Sequence, residues 1–150
     1  MEYEDIEKSS RTTDRVNNET NSLNDLFVNK SDVINLNLLV KTLKPYVQLS
    51  NEGEVFPLPD FEKLTQIKKI LIILLAKKAI GLKLGVNYRE FTKPKELHQK
   101  TGIPQGTINP TLRYLLNKRL VVSNKSGEYF IPNYAFMNVH KIFENLSKHP

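Results

Sequence analysis

The residues from Phe91 to Ile131 place the strongest constraint on what this chain can fold into. Pro94 suits the first turn of a helix, because its missing N–H would have no intrahelical partner there. Gly102 stands where a helix should stop, since glycine readily adopts the left-handed conformation that ends one. The segment therefore predicts a helix from Pro94, a turn at Thr101-Gly102, and a second helix that extends to about Arg119.

Two β segments follow this pair of helices. Val121-Val122 and Tyr129-Phe130-Ile131 are separated by a polar turn with Gly127, a pattern that predicts a hairpin. The apolar residues of the two helices are spaced to face one core; they are Leu97, Ile108, Leu112, Leu115 and Leu116. Two short helices, a tight turn and a hairpin together predict a winged helix-turn-helix.

The same residues resemble the winged-helix domains of bacterial and archaeal transcription regulators. The run GTINPTL, from Gly106 to Leu112, is similar to the start of the recognition helix in the PadR family. That family usually has tyrosine at the place of Asn109 and a longer, more basic wing. The resemblance covers roughly a quarter of the chain and implies a DNA-binding module.

The full prediction is an α+β, predominantly helical fold in four parts. These are a disordered acidic tail (1–25), an added N-terminal helix and β-hairpin (26–59), the winged-helix domain (60–132) and a C-terminal helix (133–150). The tail is polar, with too little apolar surface to offset its ordering entropy. In the second part, Ser31-Asp32 is a plausible cap for a helix with one apolar face, formed by Leu36, Leu39, Val40 and Leu43. Tyr46–Leu49 and Glu54–Leu58 then form the hairpin.

The clearest single helix runs from Asp60, as its cap, to about Leu84, ending near Gly81 or Gly85. One apolar face holds Leu64, Ile67, Leu71 and Leu74, and another holds Ile70, Ile73 and Ile80. A helix apolar on more than one side must be covered more than once. One cover is the helix-turn-helix, and the other is either the preceding helix or another subunit. Two lysine doublets, Lys68-Lys69 and Lys77-Lys78, are either solvated or flank DNA.

The last helix is predicted from Tyr134 to about Ser147, with Asn133 as its cap. Its apolar stripe consists of Phe136, Val139, Phe143 and Leu146. This stripe either forms a homodimer interface, as terminal helices of small winged-helix regulators often do, or closes the core of one chain. Both alternatives stay open from the sequence.

Charge and composition favour a nucleic-acid partner. The net charge is +6, but the first 25 residues hold seven acidic and three basic residues, so the remaining 125 carry +10. A basic body favours an anionic partner, with ordinary lysine-rich solubility as the alternative. There is no cysteine, which excludes disulfides and thiolate zinc sites. The polar N-terminus and short apolar runs predict a cytoplasmic protein with no membrane partner.

No enzyme, metal or cofactor is expected. His98, His140 and His149 lie far apart in the sequence and lack the spacing of metal ligands. No nucleophile motif, Walker loop or dinucleotide fingerprint is present.

The second helix of the pair carries the side chains that we expect to read bases: Gln105, Thr107, Asn109, Arg113 and Tyr114. Asparagine and glutamine can pair bidentately with adenine, arginine with guanine, and threonine can touch a thymine methyl. No acidic residue lies between Thr101 and Glu128, as contact with phosphates would require. With Thr107 as the cap, Pro110 would fall in the first turn at little cost.

Lysines are expected to hold phosphates, namely Lys93, Lys95, Lys118 and Lys125. Lys93 and Lys95 begin a helix, where cations oppose the helix dipole unless an anion is bound. The sequence therefore predicts sequence-specific binding of double-stranded DNA by a homodimeric transcription regulator. The main alternative is a winged-helix adaptor with a protein partner, and an architectural or plasmid-maintenance DNA binder is a third.

Overall fold

The computed structural model describes residues 34–85, 88 and 90–147, apart from the side chains of 145–147. Its α-helices are α1 (Leu36–Leu43), α2 (Gln66–Leu84), α3 (Pro94–Thr101), α4 (Gln105–Asn117) and α5 (Phe136–Ser147). Its strands are β1 (Val47–Leu49), β2 (Val55–Pro57), β3 (Val122–Ser123) and β4 (Tyr129–Phe130). The prediction of an α+β, mostly helical fold is confirmed, whereas the predicted tail and Ser31-Asp32 lie outside the described residues. None of these helices has the length and apolarity needed to span a bilayer.

Helix α2 lies at the centre of the fold. Seven consecutive residues, from Ile70 to Ala76, are buried, so the middle of the helix is covered on every side. Helices α1 and α3, both strands of the first hairpin and β4 pack against it. The second apolar face is therefore covered by the N-terminal helix and hairpin of the same chain, and it needs no second subunit.

Helix α2 starts later than predicted. The chain first makes a 3₁₀ turn, Pro59–Lys63, that buries Phe61 completely. The chain is then extended at Leu64, and Thr65 caps α2, its hydroxyl accepting a hydrogen bond from the N–H of Lys68 at 3.4 Å. The predicted cap at Asp60 is wrong because Asp60 lies in the separate turn that buries Phe61. The helix ends as expected at Gly85, which has a φ of 86°.

Helix α1 also has a different cap from the one predicted. Asn35 is extended, and its Oδ1 accepts a hydrogen bond from the N–H of Leu38 at 3.1 Å. This bond satisfies a backbone donor of the first turn, so Asn35 is the cap of α1, and the predicted Ser31-Asp32 lie outside the described residues.

Helix α5 packs on α1 within the chain. The rings of Phe143 and Tyr46 lie 6.0 Å apart, and Thr42 Oγ1 lies 2.9 Å from His140 Nδ1. Phe136, Val139 and Phe143, which we considered for a dimer interface, are each at most 7% exposed. The stripe thus closes the core of one chain as far as its side chains are described, and the side chain of Leu146 lies outside that part.

Both hairpins form where predicted. Strands β1 and β2 are antiparallel, with Val47 opposite Pro57, and β3 pairs with β4 through Val122 and Phe130. A short 3₁₀ helix, Asn133–Ala135, joins β4 to α5, so the expected cap at Asn133 is replaced by a turn.

Candidate nucleic-acid interface

The turn between α3 and α4 is held by three residues. Gly102 takes the left-handed conformation, with φ of 75°. The buried hydroxyl of Thr101 donates to the carbonyl of Leu97 at 2.6 Å and accepts from the N–H of Ile103 at 3.2 Å. His98 Nδ1 lies 2.6 Å from the Ile103 carbonyl, and because a carbonyl only accepts, this nitrogen carries the proton. These bonds fix the orientation of α4 relative to α3.

Helix α4 turns its apolar side inward and its polar side to solvent. Ile108, Leu112 and Leu115 are fully buried. Most of the predicted base-reading residues are exposed, while Thr107 is half-buried. We call these five residues the outer face of α4: Gln105, Thr107, Asn109, Arg113 and Tyr114.

The start of α4 differs from the prediction. The helix begins at Gln105 after Pro104, whose φ is −57° and whose carbonyl accepts from the N–H groups of Thr107 and Ile108 at 2.9 and 3.1 Å. Thr107 is therefore wrong as the cap, and Pro110 lies inside the helix. Since proline has no N–H, the carbonyl four residues earlier, that of Gly106, lacks its usual helical donor.

Four exposed lysines lie at the start of α3, at the end of α4 and in the loop of the second hairpin, and we call them the interface lysines: Lys93, Lys95, Lys118 and Lys125. Lys93 occupies the cap position of α3 without a side-chain cap bond. Lys118 lies over the ring of Tyr114, 5.7 Å from its centroid. In the described part of the chain, none of the four forms an ion pair.

Two glutamates near the start of α3 form ion pairs with lysines of α2. Glu96, on α3, pairs with Lys77, and Glu90 pairs with Lys78 at 3.1 Å. Burial alone would lower the pKa of Lys77, but the Glu96 carboxylate, with a smaller contribution from Tyr88, outweighs it and raises the pKa above its usual value. Lys77 and Lys78 are only 13% and 4% exposed, so the prediction that this doublet is solvated or flanks DNA is wrong.

The second hairpin is tied to the start of α3. Thr92 and Tyr129 exchange two backbone hydrogen bonds, at 2.9 and 2.8 Å. The rings of Phe91 and Phe130 pack edge to face at 4.8 Å. In the loop, Asn124 Oδ1 accepts from the N–H groups of Ser126 and Glu128, both at 3.0 Å. These contacts attach the hairpin that carries Lys125 to the segment of chain just before α3, next to Lys93 and Lys95.

Sequence reasoning missed Arg119 as a special residue. It has φ of 60°, and among the described residues it alone combines a side chain with positive φ. Its N–H donates to the Leu116 carbonyl and that of Leu120 to the Leu115 carbonyl, both at 3.0 Å, which is a Schellman ending. The signal in the sequence is the lack of glycine or asparagine at position 119, directly after the C-cap Lys118. The exposed Arg119 guanidinium adds a positive charge beside Lys118.

We expect Arg119→Gly to stabilise the protein. Glycine adopts this conformation without the steric cost that arginine meets, a relief of about 0.5–1 kcal/mol. Urea denaturation of the Arg119→Gly and Arg119→Ala variants measures this gain in stability. The alanine variant is the control, because it removes the charge but keeps the strain. Equal stability of the two variants would contradict the prediction.

Comparison with known proteins gives no assignment: no protein-family model, curated protein or solved structure matches the chain. Within the described residues, no group of three or more His, Asp or Glu side chains is placed to hold a metal ion.

Proposed function

We propose that this chain binds double-stranded DNA sequence-specifically through a winged helix-turn-helix, as a cytoplasmic transcription regulator. One observation carries the proposal: the outer face of α4 is largely exposed and free of acidic side chains, and the interface lysines lie at the start of α3, at the end of α4 and in the loop of the second hairpin. Phosphate recognition needs cations that are not already paired. The pairing of Glu96 with Lys77 supports the same conclusion, because it removes the charge that would oppose phosphates near α3.

In this proposal α4 enters the major groove, which admits a helix and displays a distinct pattern for each base pair. Gln105 and Asn109 would pair with adenine, and Arg113 with guanine. Lys93 and Lys95 would hold phosphates beside α3, and Lys125 would hold one beside the second hairpin. We propose that a single copy of the chain binds the DNA, because the apolar stripe of α5, on which the homodimer prediction rests, is buried within the chain.

Binding to random duplex DNA at two salt concentrations tests the proposal. Four phosphate contacts predict that affinity falls about 150-fold between about 50 and 200 mM salt, from a slope of roughly 0.9 per contact. Fluorescence anisotropy with a labelled duplex measures this. Absence of salt-dependent binding at the lower concentration would remove the proposal and leave the protein-adaptor alternative.

Base reading has its own expected outcome. After selection of a preferred site, alanine at Gln105, Asn109 or Arg113 should each cost roughly 1–3 kcal/mol on that site, with less effect on random DNA. Lys41→Ala, at an exposed position of α1, is the matched control and should change neither affinity. Equal losses on preferred and random DNA would show that these residues do not discriminate bases.

A further inference from the structure

An open apolar groove of about 540 Å³ lies between α1, β1 and the end of α2. We call it the α1 groove. Its apolar lining includes Leu36, Val40, Leu49, Ala79 and Leu82. None of these residues belongs to the candidate nucleic-acid interface.

The groove exposes large side chains that a folded chain normally buries. Leu36 is 54% exposed, Val40 is 59% exposed and Leu82 is 48% exposed. Leu36 and Val40 are four residues apart on α1, so they form one continuous row along the helix. The sequence predicted them on the same buried face as Leu39 and Leu43, yet only the latter two are buried. Contiguous apolar exposure of this kind typically marks an interaction site.

Among the described residues, the charged side chains that line the groove are of one sign. Lys44 and Lys83 line it, and no acidic residue of this part of the chain does. Lys83 donates to Asn51 Oδ1 at 2.8 Å, which keeps its ammonium at the rim without neutralising it. A ligand that presents carboxylates beside an apolar face would complement both features.

The size of the patch argues against a second copy as the occupant. The exposed fractions of its aliphatic side chains add up to roughly two fully exposed side chains, whereas a standard stable interface uses about 20–30 residues a side. A second copy would also bring a basic surface to a basic rim. A short helix laid between two helices needs only a few apolar anchors at i, i+4 and i+7.

We propose that the α1 groove binds a short amphipathic helix of a partner protein, with large aliphatic side chains on one face and Asp or Glu beside them. Eight residues of α1 span about 12 Å, or roughly two helical turns of a bound segment. This proposal is independent of DNA binding, because the two surfaces share no residue.

A designed peptide tests the groove directly. The probe is a synthetic helix of about 14 residues, with leucine at i, i+4 and i+7 and glutamate on the flanks; a matched probe carries lysine in place of glutamate. We expect the full-length protein to bind the glutamate probe at least about tenfold more tightly than the lysine probe, and less tightly as salt rises.

Three variants test whether the probe binds in the α1 groove. Val40→Glu should weaken binding of the glutamate probe at least about tenfold, and Lys44→Glu should reverse the preference between the two probes. Met137→Glu is the matched control, because Met137 is 46% exposed on α5 and does not line the groove. Circular dichroism confirms that each variant is folded.

Two outcomes would overturn the proposal. One is failure of the folded wild-type protein to bind the glutamate probe, or equal binding of the two probes. The other is a wild-type dimer in sedimentation that Val40→Glu dissociates, since the occupant would then be a second copy. Duplex binding, measured on the same Val40→Glu variant, should be unchanged, so failure here is distinguishable from failure of the DNA proposal.

Discussion

Replacing Lys78 by alanine is expected to lower the free energy of unfolding by roughly 3 kcal/mol, because removal of one partner leaves a charge without compensation in a mostly buried site. Lys78 is 4% exposed; its Nζ lies 3.1 Å from Glu90 Oε2 and donates to Asn133 Oδ1 at 2.7 Å. The Glu90 side chain is 27% exposed, so some water reaches it and the cost falls at the low end for a buried pair.

A double variant leaves no uncompensated charge at this site. Lys78→Met with Glu90→Gln removes both charges at similar volume and should recover most of the loss. Lys63→Ala, in a solvent-exposed pair with Asp60, should change stability by under about 0.5 kcal/mol. Urea denaturation at neutral pH measures all three, and an equal loss in the single and double variants would contradict the role assigned to the ion pair.

The pH dependence of the stability is a second test of the Lys78–Glu90 pair. Burial lowers the pKa of Lys78 below its usual value, although Glu90 partly offsets the shift. Between the folded and unfolded pKa values the unfolded chain binds more protons, so this group adds stability as pH rises through that window. As the pH rises through this window, the free energy of unfolding of the wild-type protein should therefore increase relative to that of the variant with Lys78→Met and Glu90→Gln.

If the chain binds DNA as we propose, alanine at all four interface lysines is expected to remove most of the salt dependence of that binding. Each lost phosphate contact lowers the slope of log affinity against log salt by about 0.9, so the quadruple variant should lose about 3.6. Anisotropy titrations at several salt concentrations give the slope.

The control for this experiment is an equal loss of charge elsewhere. Four exposed lysines outside the interface are used for it: Lys41, Lys44, Lys63 and Lys141. Alanine at all four changes the net charge by the same amount and should leave the slope within about 1 of the wild-type value. If the slope of log affinity against log salt falls equally in both quadruple variants, DNA binding depends on the net charge and not on contacts made by the interface lysines.

The elements that could be predicted from sequence are those specified by local chemistry. Pro94 and Gly102 delimit α3 as expected, and the inward side of α4 follows from the spacing of Ile108, Leu112 and Leu115. In each case the residues that determine the element lie within it or directly beside it.

The features that could not be predicted depend on contacts distant in sequence. Lys78 is buried because Glu90 and Asn133 meet it there, and nothing in the run of residues around it indicates either partner. The α5 stripe is apolar whichever surface covers it, so periodicity alone does not distinguish α1 from a second copy. Caps were misplaced where tertiary burial of Phe61 overrode a local preference for Asp60 as the cap.

The complete burial of the middle of α2 has a consequence for how the molecule opens. Amides from Ile70 to Ala76 are covered by elements from both halves of the chain, so no single helix or hairpin can detach and expose them on all sides. Their hydrogen exchange should require global unfolding, whereas the ends of α1 and the loop at Lys125 can open locally. Apart from these local openings, the described part of the chain from residue 34 to residue 147 should therefore unfold cooperatively, with α2 losing its protection last.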